Sequence, residues 1–208
     1  MMSVIDTIAS LPYDDRHSQG DRWQLSGSSR VSMISSAAAL IGARGLSGTS
    51  FSDVLADSGA PRGSIYHHFP GGKRQLAGDV IEWTSEQILG YLRACPADTA
   101  EGVLAWFIDL WRQSVLASGG CGGCPVAGVA MDADDEELTV AARAAFAAWT
   151  ALLAEQLAAA GVPADRARPI ASVALTAMEG ALVMCRVERS SAPLETAAGE
   201  LMRLLPAG

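Results

Sequence analysis

Apolar positions recur along this chain at helical rather than strand spacing. Over residues 30–43, Val31, Ile34, Ala38 and Ile41 share one helical face, Ser28 or Ser29 can cap the start, and Gly45 stands just past the end. A short helix is expected over 51–58, with Thr49 or Ser50 as N-cap and Gly59 at its close. Gly59-Ala60-Pro61 then turns the chain into a third helix over 62–69, which Pro70-Gly71-Gly72 breaks. Beyond the break a longer helix is expected over 73–94, because Leu76, Val80, Trp83, Ile88 and Tyr91 or Leu92 recur at near-helical intervals before Pro96. Another fits 101–117, with Leu104, Phe107, Ile108, Trp111 and Val115 as its stripe. A glycine-rich loop covers 118–123, and Pro125 suits the first position of the next helix. Helices over 137–160, 164–189 and 194–205 complete the pattern, punctuated by Gly161-Val162-Pro163 and Ala192-Pro193. No segment alternates as a half-buried strand would, so the expected fold class is all-α. Residues 1–27 hold no sustained period and read as a mostly disordered tail.

Composition alters this picture in two places. Half of the 208 residues are hydrophobic, and a mean hydropathy of +0.22 raises the question of a membrane segment. The most apolar run, 170–187, contains Ser172, Thr176, Glu179 and Arg186. A carboxylate near the middle of a lipid-spanning helix is costly, so a buried helix is expected there, with no membrane partner. Nothing at the start resembles a secretion signal, and four cysteines are too few for a disulfide scaffold, so a reducing compartment, the cytoplasm, is expected. Charge is the second place. The net charge is −8, yet residues 28–75 carry Arg30, Arg44, Arg62, Lys73 and Arg74 against only Asp53 and Asp57. A small basic face on an acidic body can hold phosphates in one orientation.

The order from 29 to 76 is helix, short helix, tight turn, short helix, break, long helix. That is the arrangement of a helix-turn-helix reader, in which the second short helix offers side chains to the major groove. The residues filling it are Gly45-Leu46-Ser47-Gly48-Thr49-Ser50-Phe51, Val54-Leu55-Ala56, Ser58-Gly59, Gly63-Ser64-Ile65-Tyr66-His67-His68-Phe69 and Lys73. This sequence resembles the DNA-binding signature of TetR-family transcriptional regulators, with its spacings kept. The resemblance implies an N-terminal helix-turn-helix domain of three helices (28–75), then a helical ligand-binding and dimerisation bundle (76–208). It implies a ligand-responsive repressor, a homodimer on a palindromic operator of double-stranded DNA, released by a small-molecule effector. Thr49 and Ser50 are then expected to donate to a phosphate from a helix N-terminus. Arg62, Gly63 and Ser64 are expected to open the recognition helix, with Arg62 able to grip a guanine in bidentate fashion. Tyr66 and His67 suit phosphate or thymine-methyl contacts, and Lys73 matches a phosphate-binding lysine. Arg62-Gly63-Ser64 departs from the commoner lysine- or threonine-bearing triplet, which leaves base preference open. His68 is divided between packing and phosphate contact, and Arg44 reads as a solvated charge.

The helical remainder carries Trp106, Phe107, Trp111, Met131, Phe146, Trp149, Met178 and Glu179, the residue types of a pocket for an apolar or aromatic effector. Most of them equally suit an ordinary core. Glu179 needs a partner: an arginine, a ligand or a second subunit. The stripes Ala142, Phe146, Trp149 or Thr150, Leu153, Leu157 and Ile170, Val173, Ala177, Met178, Ala181, Leu182 are expected to build a two-fold four-helix interface. Cys121 and Cys124 form a CxxC, but the other cysteines lie far off and every histidine precedes residue 69, so neither zinc nor another cofactor is expected. Cys124 stands at an expected helix N-terminus, where a thiol pKa is lowered, so a redox-sensing regulator or redox-active interaction protein using this pair is the alternative. The Gly-Cys-Pro element also resembles a loop in one branch of TetR-like regulators, which favours a structural role. No nucleophile, histidine and acid can be assembled where the helical half has no histidine, and no phosphate loop is present, so an enzyme is not expected.

Overall fold

The computed structural model describes residues 27–206. Residues 1–26, most of the expected tail, lie outside the described residues. Among these there are nine helices and no strand. We number them α1 (Gly27–Arg44), α2 (Phe51–Ser58), α3 (Ser64–His68), α4 (Gly72–Arg93), α5 (Ala100–Ala117), α6 (Pro125–Asp132), α7 (Glu136–Ala159), α8 (Ala164–Glu188) and α9 (Ala192–Arg203). The chain is all-α, with an N-terminal helix-turn-helix unit and a C-terminal helical one, as the periodicity predicts.

The small unit is held by a compact apolar centre. Met33, Ile34, Ala37, Ala38 and Ile41 of α1, Val54 of α2, Ile65 of α3 and Phe69 are all fully buried. Each large side chain in that centre stabilises the unit by roughly 1.5–3 kcal/mol. Local chemistry sets the turns. Ser50 and Asp53 form a reciprocal capping box at the start of α2, and Gly59 ends α2 at φ +67°, a conformation in which a side chain would be strained. The guanidinium of Arg30 reaches Asp79 of α4 at 2.6 Å and lies over the Phe69 ring at 5.4 Å, so α1 is tied to α4.

α4 runs unbroken through the boundary expected at 75, so the two units share a helix. Its far half packs with α7, and α7 packs with α5 and α8. Trp149 is fully buried with its indole N–H donating to Ser85 Oγ at 3.2 Å. Gln156 donates to Leu92 O at 2.6 Å, a second tie between α7 and α4. At the C-terminal end, Arg112 grips both oxygens of Glu195, at 2.7 and 2.9 Å, and fixes α9 on α5. By length and composition α7 and α8 are apolar enough to cross a membrane, but each buries a face in this bundle.

The interface stripes expected on α7 and α8 are mostly consumed inside the chain. Ala142, Trp149, Leu153 and Leu157, and Ile170, Met178, Ala181 and Leu182, are buried in the core. Of the expected stripes Val173 stays exposed, and so do Val140 on α7 and Val183, Met184 and Val187 on α8. Each residue turns a helix by about a hundred degrees, and most of the two expected stripes falls on the faces that the chain buries within itself.

Candidate DNA interface and ligand domain

α3 is only five residues long, and it is positioned by what it buries. Ile65 and Phe69 face inward, which turns Tyr66 and His67 outward. Arg62 and Gly63 precede the helix and are exposed. Ser64 donates its hydroxyl to Pro61 O at 2.7 Å, closing the turn into α3. Tyr66 is 69% exposed and meets the edge of Phe51 with ring centroids 5.7 Å apart, so α2 steadies its ring. Arg62, Gly63, Tyr66 and His67 thus stand together on the open side of α3. Lys73 is half-buried in the first turn of α4, just after Gly72 bends the chain at φ +70°. His68 is half-buried against His67 and Phe69. Burial, then the neighbouring His67 and Arg30 charges, lower its pKa and keep it neutral, which favours packing.

The two residues expected as phosphate donors make hydrogen bonds within the chain. Thr49 is buried; its hydroxyl donates to Gly45 O at 2.9 Å and its N–H to Leu46 O at 3.2 Å. Ser50 is exposed, but its N–H and hydroxyl both donate to Asp53 Oδ2, at 2.9 and 2.6 Å. The Ser50 bonds hold the Asp53 carboxyl below its ordinary pKa, and this carboxylate caps the N-terminus of α2. The capping box S/T-x-x-D was legible in the sequence and is the signal that separates a cap from a ligand.

The expected pocket residues separate as well. Phe107 and Trp111 of α5, Phe146 and Trp149 of α7, and Met178 and Glu179 of α8 lie on three helices that pack on one another. Met131 does not join them; it is 86% exposed at the end of α6. Trp106 is half-buried and clasped to Tyr91: the rings stack at 4.6 Å, its indole N–H donates to Tyr91 O at 2.9 Å, and Tyr91 donates to Trp106 O at 3.2 Å. It fixes α5 on α4. Trp111 Nε1 and Glu179 Oε1 are buried without a hydrogen-bond partner among the described residues.

The cysteines also differ from expectation. Cys121 is exposed and Cys124 buried, and all four are free thiols. Cys124 does cap α6, its sulfur accepting from Ala127 N at 3.5 Å. Yet burial, then the Glu179 carboxyl it faces, push its pKa up rather than down. Desolvation outweighs the helix N-terminus here.

One contact was missed from the sequence. α6 lies directly on α1. A Cβ on Gly42 would fall 2.3 Å from Gly123 O, one on Gly128 2.7 Å from Ile41 O, and one on Gly45 2.4 Å from Asp132 Oδ2. Asp132 Oδ2 accepts from Ser47 N at 2.8 Å, in the turn that leads into α2. Arg74 adds a second tie, donating to Asp135 at 2.5 Å and to Glu137 at the start of α7. Glycines inside helices 1 and 6 were the available signal, since such positions often mark close backbone approach.

Two family models match the chain. Residues 33–80 match that of the bacterial regulatory proteins of the tetR family. Residues 100–200 match the C-terminal domain of LmrA/YxaF-like transcriptional regulators. An HTH-type transcriptional regulator of Mycobacterium tuberculosis is 41% identical over 186 residues, which cover 85% of this chain and 93% of that one. The crystal structure of a TetR transcriptional regulator from Chloroflexus aurantiacus is similar at a TM-score of 0.67 and 28% identity, over 84% of this chain and 92% of that one. The TetR-family regulator CifR, as a cysteine mutant complexed with 26-base-pair operator DNA, shares the fold at a TM-score of 0.67 and 20% identity, over 85% of this chain and 96% of that one. With both halves matched and that degree of identity to a full-length relative, this chain belongs to the TetR family of DNA-binding transcriptional regulators.

Proposed function

We infer that the chain is a repressor that binds a palindromic operator as a homodimer and is released by a small, largely apolar effector. The observation that carries the DNA half is the two-sidedness of α3. Ile65 and Phe69 anchor it, while Arg62, Gly63, Tyr66 and His67 are presented together on its open side. A Cβ at Gly63 would meet nothing within 4 Å, which leaves room for a base pair to approach the backbone there. CifR, of the same fold, is complexed with operator DNA. Arg62 is the base reader in this assignment and Lys73 a phosphate contact. Selection from a random duplex library, followed by binding at increasing salt, tests it. A palindromic consensus bound with a steep negative salt slope is expected. Failure to enrich any sequence would refute the assignment.

The dimer is supported by the outer face of α8. Val173, Thr176, Gly180, Val183, Met184 and Val187 follow one another at helical intervals and are all exposed, Val187 by 74%. A second copy of the chain, laid two-fold against this face, would cover the stripe. Cytoplasmic placement follows from the operator as partner, and no catalytic step is part of this reading.

A further inference from the structure

One buried carboxyl in the C-terminal helical unit has an oxygen left unpartnered by the described residues. Glu179 lies mid-way along α8, with its Oε1 sealed from solvent and without a hydrogen-bond partner among the described residues. The side chain it faces is the Cys124 thiol at the N-terminus of α6. Among the described residues, the Cys124 thiol partly offsets the burial of this carboxyl. Burial pushes the carboxyl up to about 7. Buried carboxylates in proteins are otherwise paired with a cation or satisfied by several donors. Evolution could remove this penalty with a leucine of similar size, since exchanging a buried acid for an apolar residue is often stabilising. Met178, next in sequence, is fully buried, and α5, which packs on α8, carries the buried Phe107 and Trp111. Trp111 Nε1 is the second buried polar atom without a partner on these two helices. An apolar interior holding one uncompensated acid is complementary to an apolar molecule with one positive charge.

Resting on the reading of the chain as a ligand-responsive regulator, we propose that Glu179 is the polar anchor of the effector site and takes the protonated nitrogen of an aromatic amine or similar organic cation. The N–H of such a ligand supplies the donor that Oε1 lacks, and its charge balances the carboxylate. Cys124 faces the other side of the anchor and begins α6, the helix docked on α1, so occupation of the site is sensed at the first residue of a direct route to the reader.

Two pairs of probes test this by calorimetry at pH 8: benzylamine against benzyl alcohol, and 9-aminoacridine against acridine. Each pair differs chiefly in carrying or lacking a positive charge. The wild type is expected to bind each cation at least about tenfold tighter than its neutral partner, the effect of one charge-assisted hydrogen bond. Glu179→Gln is expected to bring each pair to within about twofold while leaving the neutral probes as they were. Equal affinities within each pair for the wild type, a preference that survives Glu179→Gln, or no binding of either cation at millimolar concentration would each overturn the proposal. The wild-type comparison stands even if the variant fails to fold, and Glu179→Leu provides a second variant of the same size. An operator selection that enriched nothing would count against the repressor reading alone, because the charge preference is measured without DNA. Operator release by a neutral compound that binds wild type and Glu179→Gln equally, with no cation bound, would keep the repressor and remove the anchor.

Discussion

Gly42 of α1 and Gly123 of the loop before α6 face each other so closely that a Cβ on either would lie 2.3 Å from the other's carbonyl oxygen. The obstacle in each direction is backbone, which cannot swing aside as a side chain can. Gly42→Ala and Gly123→Ala should therefore each cost about 1–3 kcal/mol, the range for overpacking a well-packed site. Gly199→Ala, in α9 with nothing within 4 Å of the added Cβ, should be neutral or stabilise by up to about 1 kcal/mol. Urea unfolding of the three variants checks the contrast; equal effects would mean that α6 does not sit against α1 as described.

Lys73→Ala should weaken binding to all duplexes alike and lower the salt slope by about one unit, as one lost phosphate contact does. Arg62→Ala, on the open side of α3, should change sequence preference instead, by roughly 1–3 kcal/mol at one base position. Thr49→Val is the informative third variant. Its hydroxyl is held by Gly45 O, so the loss should appear in stability before it appears in the salt slope. Filter-binding titrations on the selected operator and on scrambled DNA separate the three, and an unchanged slope in Lys73→Ala would place the lysine away from the backbone.

Stability should depend on pH through Glu179. Folding raises this carboxyl from 4.5 to about 7, chiefly by burial, against a small opposing bond from the Cys124 thiol. The folded chain thus keeps a proton that the unfolded chain releases across that window, so stability falls as pH rises from 4.5 to 7. Below the window Glu179 is protonated in both states and contributes nothing; above it the penalty is complete. At about 1.4 kcal/mol per unit the penalty is of order 3 kcal/mol. Urea midpoints at pH 4.5 and pH 8 should therefore diverge more for wild type than for Glu179→Gln. Parallel midpoints would show that the carboxyl is solvated.

Of the cysteines, Cys121 is exposed and Cys124 is a buried thiol whose pKa is raised. A disulfide-exchange reagent attacks the thiolate, so the native chain should react first at Cys121, and Cys124 only after unfolding. Cys121→Ser should remove the fast phase and leave operator affinity unchanged. A fast phase that persisted in Cys121→Ser would restore the redox reading of the CxxC pair.

The helices were legible because each repeats an apolar face several times between strong breakers: α1, α4 and α5 begin and end within three residues of the ranges expected from that repeat. The reader was legible for a further reason, since its spacings are fixed by the turn between α2 and α3. The direction of a side chain was less so. Thr49 and Ser50 have the right chemistry for a phosphate, but Gly45 O and Asp53 were nearer partners. The stripes on α7 and α8 were correctly seen as apolar, yet one face of a helix looks the same in sequence whether its own chain or a second copy covers it. The close approach of α6 to α1 depends on residues with no side chain at all, and a missing side chain gives no period to read.

Two routes lead from the C-terminal helical unit to the helix-turn-helix unit, and they differ in what they hold. α4 carries Lys73 and Arg74 in its first turn, with Arg74 tied to Asp135 and Glu137 at the start of α7. α6 carries Asp132, whose carboxylate fixes the turn between α1 and α2 through Ser47 N at 2.8 Å. Recognition helices of a dimer must lie about one DNA turn apart, roughly 34–36 Å, to enter successive grooves. A bound effector that shifts either route spoils this spacing, provided that it binds the DNA-incompetent arrangement more tightly. Binding linkage then requires operator DNA to weaken effector affinity by the same factor that effector weakens operator affinity. Titrating an effector found by operator release, with and without operator present, measures that factor twice. Asp132→Ala frees the turn before α2 from α6 while leaving the effector site untouched, so effector affinity without DNA should stay the same and the coupling factor should shrink toward one. Arg74→Ala, which loosens the α4 route alone, should reduce the factor less if α6 is the stiffer connection. Equal effector affinities with and without operator in the wild type would mean that neither helix transmits anything, whatever their contacts.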